Sequence, residues 1–262
     1  MTQSNQKKTV SKRDLQQQVE MLQQQLVQAQ KLTALGELVS TTTHEFNNVL
    51  MTIMNYAKMG LRHDDKQTRD KALNKILTSS ERAAQITNAV LGMARNRSDE
   101  MEPTNLGLIF QESLILLERE MTKYRIRLDK QFEDVPEAMA NGNQIQQVLL
   151  NLLINARQAM PDGGTILLKL SHDTGNEMVV MVVRDSGSGI PKEKLPRIFD
   201  RFYSTKDGPD ESGKGGTGLG LSACRNIIEA HQGRIRVESS VGKGTQFTIM
   251  LPVAGSAPKA AA

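Results

Sequence analysis

The 262-residue sequence has no tryptophan and a single cysteine, and aromatic residues make up only 3% of it. With Cys224 alone, an internal disulfide and a cysteine-based zinc cluster are excluded, and the chain fits a reducing compartment. The scarcity of Phe and Tyr leaves no basic stretch interleaved with aromatics, so stacking platforms for single-stranded nucleic acid are missing. Neither sign of charge dominates. The 33 Lys and Arg are scattered among 29 Asp and Glu rather than gathered on one element, which argues against a nucleic-acid role. Long apolar runs are absent too. The longest, Met178 to Val183, is far short of a membrane span, and the opening MTQSNQKKTV lacks the apolar core of a signal peptide. The expectation is a cytoplasmic protein with no membrane insertion. What remains, 38% hydrophobic and 24% charged residues, is ordinary globular composition, and the length allows two modest domains.

Periodicity divides the chain. Residues 1–13 are polar, after which Leu15, Val19, Leu22, Leu26 and Ala29 recur at alternating threes and fours in a Gln-rich background. So narrow a stripe on so polar a helix has no evident core to join except a second copy, so residues 1–30 read as a polar N-terminus followed by a coiled coil. A second seam runs through Leu35, Val39, Thr42, Phe46, Val49, Ile53 and Tyr56, one position out of phase with the first, which implies a register slip near residues 29–32. A loop around LRHDD separates it from a further helix, whose inward face is expected to be Leu73, Ile76, Ser80, Ala83, Thr87, Val90 and Ala94. Two such hairpins make a four-helix bundle across a two-fold axis, hence a homodimer. The polar, Pro103-containing segment 96–105 reads as a linker, with the boundary set at 99–104. Beyond it helices are expected at 106–121 and 143–160, and strands at 126–133, 165–170, 233–240 and 245–251. The apolar run 178–184 is expected to be a buried central strand. The whole is an α+β sandwich, and residues 254–262 read as a disordered tail.

Four places carry chemistry. If Thr42 and Phe46 face the dimer axis, His44 lies on the outer face of the bundle, one turn from Asn48 and beside Glu45. A neutral, accessible imidazole is a good phosphate acceptor, and the neighbouring carboxylate can take the proton from its other ring nitrogen. An exposed histidine is more often simply solvated, and His63, His172 and His231 are read that way. Asn151 and Asn155 sit four apart on one face of an apolar helix, where amide oxygens suit Mg²⁺ held jointly with substrate phosphates, and Arg157 is expected to reach phosphate oxygens. Paired Asn residues can also pin a helix locally, but Asn is unfavourable in a helix interior. RDSGSGIP carries Asp185 to the mouth of the sheet as an acceptor for an adenine amino group, while Gly187 and Gly189 let the backbone approach a ligand. Finally STKDGPDESGKGGTGLGLS reads as a mobile lid, whose Gly216, Gly218 and Gly220 expose consecutive amides as a phosphate nest at a helix start.

HEFNN, NLLINARQAM, DSGSGI, IFDRFYSTK and GTGLGLS stand in the order of the H, N, G1, F and G2 boxes of bacterial sensor histidine kinases, and the chain resembles that family over roughly residues 31–253. HEFNN with NARQAMPDGG looks most like the subgroup whose acceptor box reads HDFNN. The resemblance implies a dimerisation and histidine-phosphotransfer hairpin at 31–98. It implies an ATP-binding domain at 105–253, of the α/β sandwich type shared with DNA gyrase, a mismatch-repair ATPase and a heat-shock chaperone. By the same resemblance His44 is the phosphoacceptor, Glu45 its base, and Asn48 with Glu45 matches positions that assist dephosphorylation of a partner. Asn155 holds Mg²⁺ with Asn151 beside it, and Asp185 recognises the adenine of ATP. Gly187, Gly189, Ile190, Gly216, Thr217, Gly218, Leu219 and Gly220 line the nucleotide site, Phe199 and Phe202 anchor the lid, and Lys206 or Lys214 comes nearest the phosphates. The implied partner is the receiver domain of a response regulator. One departure stands out: the commonest acceptor box has Pro where this chain has Val49, so the helix keeps a hydrogen bond there. Two other classes share parts of this pattern, a non-kinase ATPase of the same superfamily and a dimerising scaffold. The first has no need of HEFNN, and the second has no need of Asn155, Asp185 or GTGLG.

Overall fold

A computed structural model describes residues 46–94, 100–203 and 218–255. The expected coiled coil, the first part of the second seam, His44, Glu45, Lys206, Lys214, Gly216, Thr217 and most of the tail lie outside the described residues.

Helix α1 covers residues 46–62 and α2 covers Lys66–Ala94, with the loop 63–65 between them. Asp65 starts α2 by accepting the Thr68 N–H at 2.8 Å, and these bonds hold its carboxyl below the usual range. The helices approach closely at Gly60, where a Cβ would lie 3.4 Å from the Ala72 Cβ. Val49 is buried, and Ala72, Ile76, Ser79, Ala83 and Ile86 form the covered stripe of α2 at spacings of four and three. Of the residues expected to face inward in a two-hairpin bundle, Ile76 and Ala83 belong to this stripe, Leu73, Ser80 and Thr87 are exposed on the single hairpin, and the side chains of Val90 and Ala94 lie outside the described residues. Phe46, Leu50, Met51, Met54, Leu61, Leu73 and Leu77 are left open to solvent on the single hairpin.

The remaining residues build a two-layer sandwich. Strands β1 (Glu102–Thr104) and β3 (Ala138–Ala140) form a small antiparallel ribbon. The main sheet has the order β2-β4-β5-β7-β6, where β2 is Ile126–Phe132, β4 Gly164–Asp173, β5 Met178–Asp185, β6 Arg234–Ser240 and β7 Gly244–Pro252. Only β2 and β4 run parallel. Helices α3 (Leu106–Lys123), α4 (Gly142–Gln158) and α5 (Gly220–Ala230) pack on one face of it. The residues expected to form a linker therefore contain a strand. Pro103 is tolerated because a three-residue ribbon has an open edge that needs no proline N–H.

Core positions follow the two periods. Ile145, Val148, Leu149, Leu152, Leu153 and Ala156 line the sheet side of α4, and Val179, Met181 and Val183 answer them from β5. Phe110 of α3 is fully buried and lies 4.9 Å, centroid to centroid, from Phe132. Full burial of such a ring contributes about 2–3 kcal/mol. Met178, Val180 and Val182 are only half-buried, since helices cover one face of the sheet. The expected buried strand is thus central in order and covered on one side. Asn105 and Asn141 cap α3 and α4, their side chains accepting the N–H groups of Leu108 and Gln144. Among the described residues no helix is long and apolar enough to cross a membrane.

Candidate nucleotide-binding site

Helix α4 turns Asn151 and Asn155 toward one side, both half-buried and one turn apart. The Asn151 amide nitrogen donates to the Cys224 Sγ at 3.8 Å, and its Cγ lies 3.9 Å from where a Cβ on Gly220 would sit. Asn151 therefore faces the first residue of α5. The Asn155 side chain makes no hydrogen bond among the described residues, so its amide oxygen is available to a ligand. Arg157 does not join this face. Two residues past Asn155 is a rotation of about 200° around the helix, and Arg157 instead lies 3.7 Å from Glu120 and stacks over the Tyr124 ring at 4.8 Å. The expected phosphate contact is corrected to a structural one with α3.

Asp185 ends β5 almost completely buried. Its Oδ1 accepts the Gly187 N–H at 2.8 Å and the Thr245 N–H at 3.2 Å. Burial pushes its carboxyl above the usual range despite those two bonds. The glycines after it have packing reasons for being glycine. A Cβ on Gly187 would come within 2.6 Å of the Ala159 carbonyl oxygen, and one on Gly189, at φ +70°, would strike the Ser240 backbone. Ser188 donates to Ala159 O and accepts from Gly242 N, while Ile190 N donates to the Ser239 hydroxyl at 2.8 Å. The loop is thus clamped between the end of α4 and the β6–β7 turn. On the side where a Cβ would point, Gly187 and Gly189 pack against protein.

At the far side, Phe199 is half-buried and meets Phe247 edge-on at 6.5 Å, with the Arg225 guanidinium 5.8 Å from its ring. Phe202 behaves differently from the expected anchor: the residue is 69% exposed, and it is the backbone that holds. Its N–H donates to Gly218 O at 3.0 Å, and both residues have positive φ, so the two ends of the segment 204–217 are tied together. Leu219 caps α5 with no side-chain hydrogen bond. Among the described residues, the amides of the first turn of α5, beginning at Gly220 beside Asn151, therefore have no side chain capping them.

Asn48, on α1, is exposed and its carbonyl accepts the Thr52 hydroxyl at 2.8 Å. His63 is exposed as expected, but the other two histidines are not simply solvated. His172 is half-buried with its Nε2 shielded and without a hydrogen-bond partner. His231 is buried; its Nε2 accepts the Asn141 N–H at 2.9 Å, which leaves Nδ1 to donate to Ile227 O at 2.7 Å. Burial holds this imidazole below the usual range.

Thr245 and Ser239 were missed by the sequence reading. The available signal was GKGT after a strand, since Gly242 at φ +76° and Gly244 at φ +98° mark a turn that only glycine accepts readily. A Cβ on Gly244 would collide with the Asp185 carbonyl, so this turn is shaped around the end of β5.

Two family models match. The His Kinase A phospho-acceptor domain covers residues 34–99, and the histidine kinase-, DNA gyrase B- and HSP90-like ATPase covers 140–255. The chain is 30% identical over 252 residues to the sensor histidine kinase TmoS of Ectopseudomonas mendocina, covering 92% of this chain and 25% of that protein. It is 35% identical over 246 residues to the sensor kinase CckA of Brucella abortus, covering 88% and 25%. The solved catalytic domain of the histidine kinase ThkA shares 32% identity at a TM-score of 0.51, covering 58% of this chain and 97% of that domain. The chain belongs to the two-component sensor histidine kinase family. It spans about a quarter of the length of TmoS and of CckA.

Proposed function

We propose that the protein is a homodimeric, cytoplasmic histidine autokinase that binds Mg-ATP, phosphorylates its own His44 and passes the phosphoryl group to an aspartate of a response-regulator receiver domain. We take residues 1–30 as a polar N-terminus and coiled coil, 31–98 as the dimerisation and phosphotransfer hairpin with an HDFNN-like acceptor box, and 105–253, extended at its start by β1, as the ATP-binding domain. The observation that carries nucleotide binding is the meeting of Asn151 with the uncapped first turn of α5. Backbone amides and helix dipole favour phosphate at that point. Asp185 supplies a buried acceptor for the adenine amino group.

Mg²⁺ fits this donor set. Asn155 offers a half-buried amide oxygen without a partner among the described residues and Asn151 stands beside it, a hard-oxygen environment in which the substrate phosphates supply the remaining ligands. Among the described residues no cluster of His, Cys, Asp and Glu competes as a metal cage. Bound there, the ion would offset charge on the phosphate oxygens. In the transfer, a ring nitrogen of His44 forms the bond to the γ-phosphorus as the bond to the ADP oxygen breaks, and Glu45 takes the proton from the other ring nitrogen. Glu45 and Asn48 are also proposed to assist removal of phosphate from the regulator. The exposed apolar side chains on α1 and α2 support dimerisation, because a monomeric hairpin would leave them in water.

The test is transfer. Protein given γ-labelled Mg-ATP is expected to take up the label and to lose it to an added receiver domain. An absence of labelling overturns the kinase reading. Asp185→Asn should weaken ATP binding at least tenfold, on the order of one charge-assisted hydrogen bond.

A further inference from the structure

The hydroxyl of Ser239 is saturated with hydrogen bonds. Its Oγ accepts from Ile190 N at 2.8 Å, lies 2.9 Å from the Thr245 Oγ1 and 3.0 Å from Gly244 O. A serine hydroxyl has one proton and two lone pairs, and a carbonyl oxygen can only accept. All three contacts are satisfied together in one way: Ser239 donates to Gly244 O, and Thr245 donates to Ser239. The Thr245 proton is thereby committed, so toward anything else its hydroxyl can only accept. Thr245 is itself buried and adjoins the Asp185 carboxylate, to which its backbone N–H donates.

We propose that Ser239 is a positioning residue that sets nucleobase specificity: by taking the Thr245 proton it leaves the wall around Asp185 composed of acceptors. Such a wall favours a purine bearing an exocyclic amino group over one bearing a carbonyl at that place, since two acceptors brought together in a buried site leave both unpaired. The proposal rests on the reading of Asp185 as the base-recognition residue. A purely structural role predicts something different. The bonds of Ser239 also help the Gly242 N–H, which donates to Ser188 O at 2.8 Å, to fasten the Asp185–Ile190 loop to the β6–β7 turn. Loosening that rim would weaken every nucleotide by the same factor.

The experiment is therefore a ratio. Dissociation constants for Mg-ATP and Mg-GTP are measured by calorimetry on the whole chain and on Ser239→Ala, Ser239→Thr and Thr245→Val. The unaltered protein is expected to prefer ATP by about a hundredfold or more. In Ser239→Ala the Thr245 hydroxyl is free to turn and donate to a carbonyl, and the preference should narrow about tenfold, the order of one hydrogen bond. Ser239→Thr keeps a hydroxyl and should keep the preference. If Ser239→Ala loses affinity for both nucleotides equally, with the ratio unchanged, the proposal is overturned. Should that variant fail to fold, Thr245→Val decides, because removing the acceptor must narrow the same ratio, and an unchanged ratio again overturns it. Equal affinity of the unaltered protein for both nucleotides would instead refute the Asp185 reading, and the proposal with it.

Discussion

Replacing His231 by Leu tests how the layers around the nucleotide site are held together. The imidazole joins the C-terminal end of α5 to the capping residue of α4, accepting from Asn141 N and donating to Ile227 O. Leucine fills similar space and makes neither bond. The Asn141 N–H is then left in a buried position without its acceptor, at a cost of about 1–3 kcal/mol, whereas the Ile227 carbonyl still accepts the His231 backbone N–H and forfeits only about 1 kcal/mol. The sum, about 2–4 kcal/mol, corresponds to a fall in Tm of roughly 4–16 °C for a chain of this size. The pH dependence gives a second reading. Burial lowers the imidazole pKa below its usual 6.5, so the folded state binds fewer protons than the unfolded state in the window beneath 6.5. Stability from this site is therefore complete above that pH and is lost as the pH falls toward the folded-state value. Urea midpoints measured from pH 5 to 8 should decline on acidification in the unaltered protein and decline less in His231→Leu. A variant as stable as the parent, with an identical pH profile, would refute the clamp.

Other expectations can be checked with equally simple measurements. Arg157→Ala should leave ATP affinity unchanged while lowering stability by about 1–2 kcal/mol, the order of a partly buried cation–π contact with a weak ion pair; a nucleotide-binding defect without a stability change would contradict the placement. Cys224 is fully buried and its thiol is pushed up to about 12, so iodoacetamide at pH 8 should label it only after unfolding. Leu77→Asp places a charge where a 59% exposed apolar side chain stands on the single hairpin. Sedimentation should then show a shift from dimer to monomer, and an unaltered dimer would place the subunit contact elsewhere.

Long periodic elements were legible in the sequence. The apolar faces of α3 and α4 announce themselves because burial on one face imposes a period, and β5 is marked by its unbroken apolar run. What escaped was decided by neighbours far away along the chain. The β1–β3 ribbon is too short to carry a pattern, and Pro103 disguised half of it. Gly187 and Gly189 looked like ligand-facing glycines, yet what demands them is the approach of Ala159 and Ser240. His231 sits only one residue past α5, where an exposed side chain is the ordinary expectation, and its partner Asn141 is 90 residues away. Arg157 was a different kind of error, because helical rotation alone separates it from Asn155. In the hairpin, intramolecular and intermolecular seams both draw on apolar residues of one helix, so a single stripe could not be divided between them from the sequence.

The central claim is that an ATP-binding domain of this architecture serves one particular imidazole. It is tested most directly by comparing the unaltered protein with His44→Gln under Mg-ATP, measuring covalent phosphate stable to alkali and labile to acid alongside nucleotide affinity. The unaltered protein should acquire the phosphate, and His44→Gln should acquire none while binding ATP as before. Labelling that persists in His44→Gln would contradict the account.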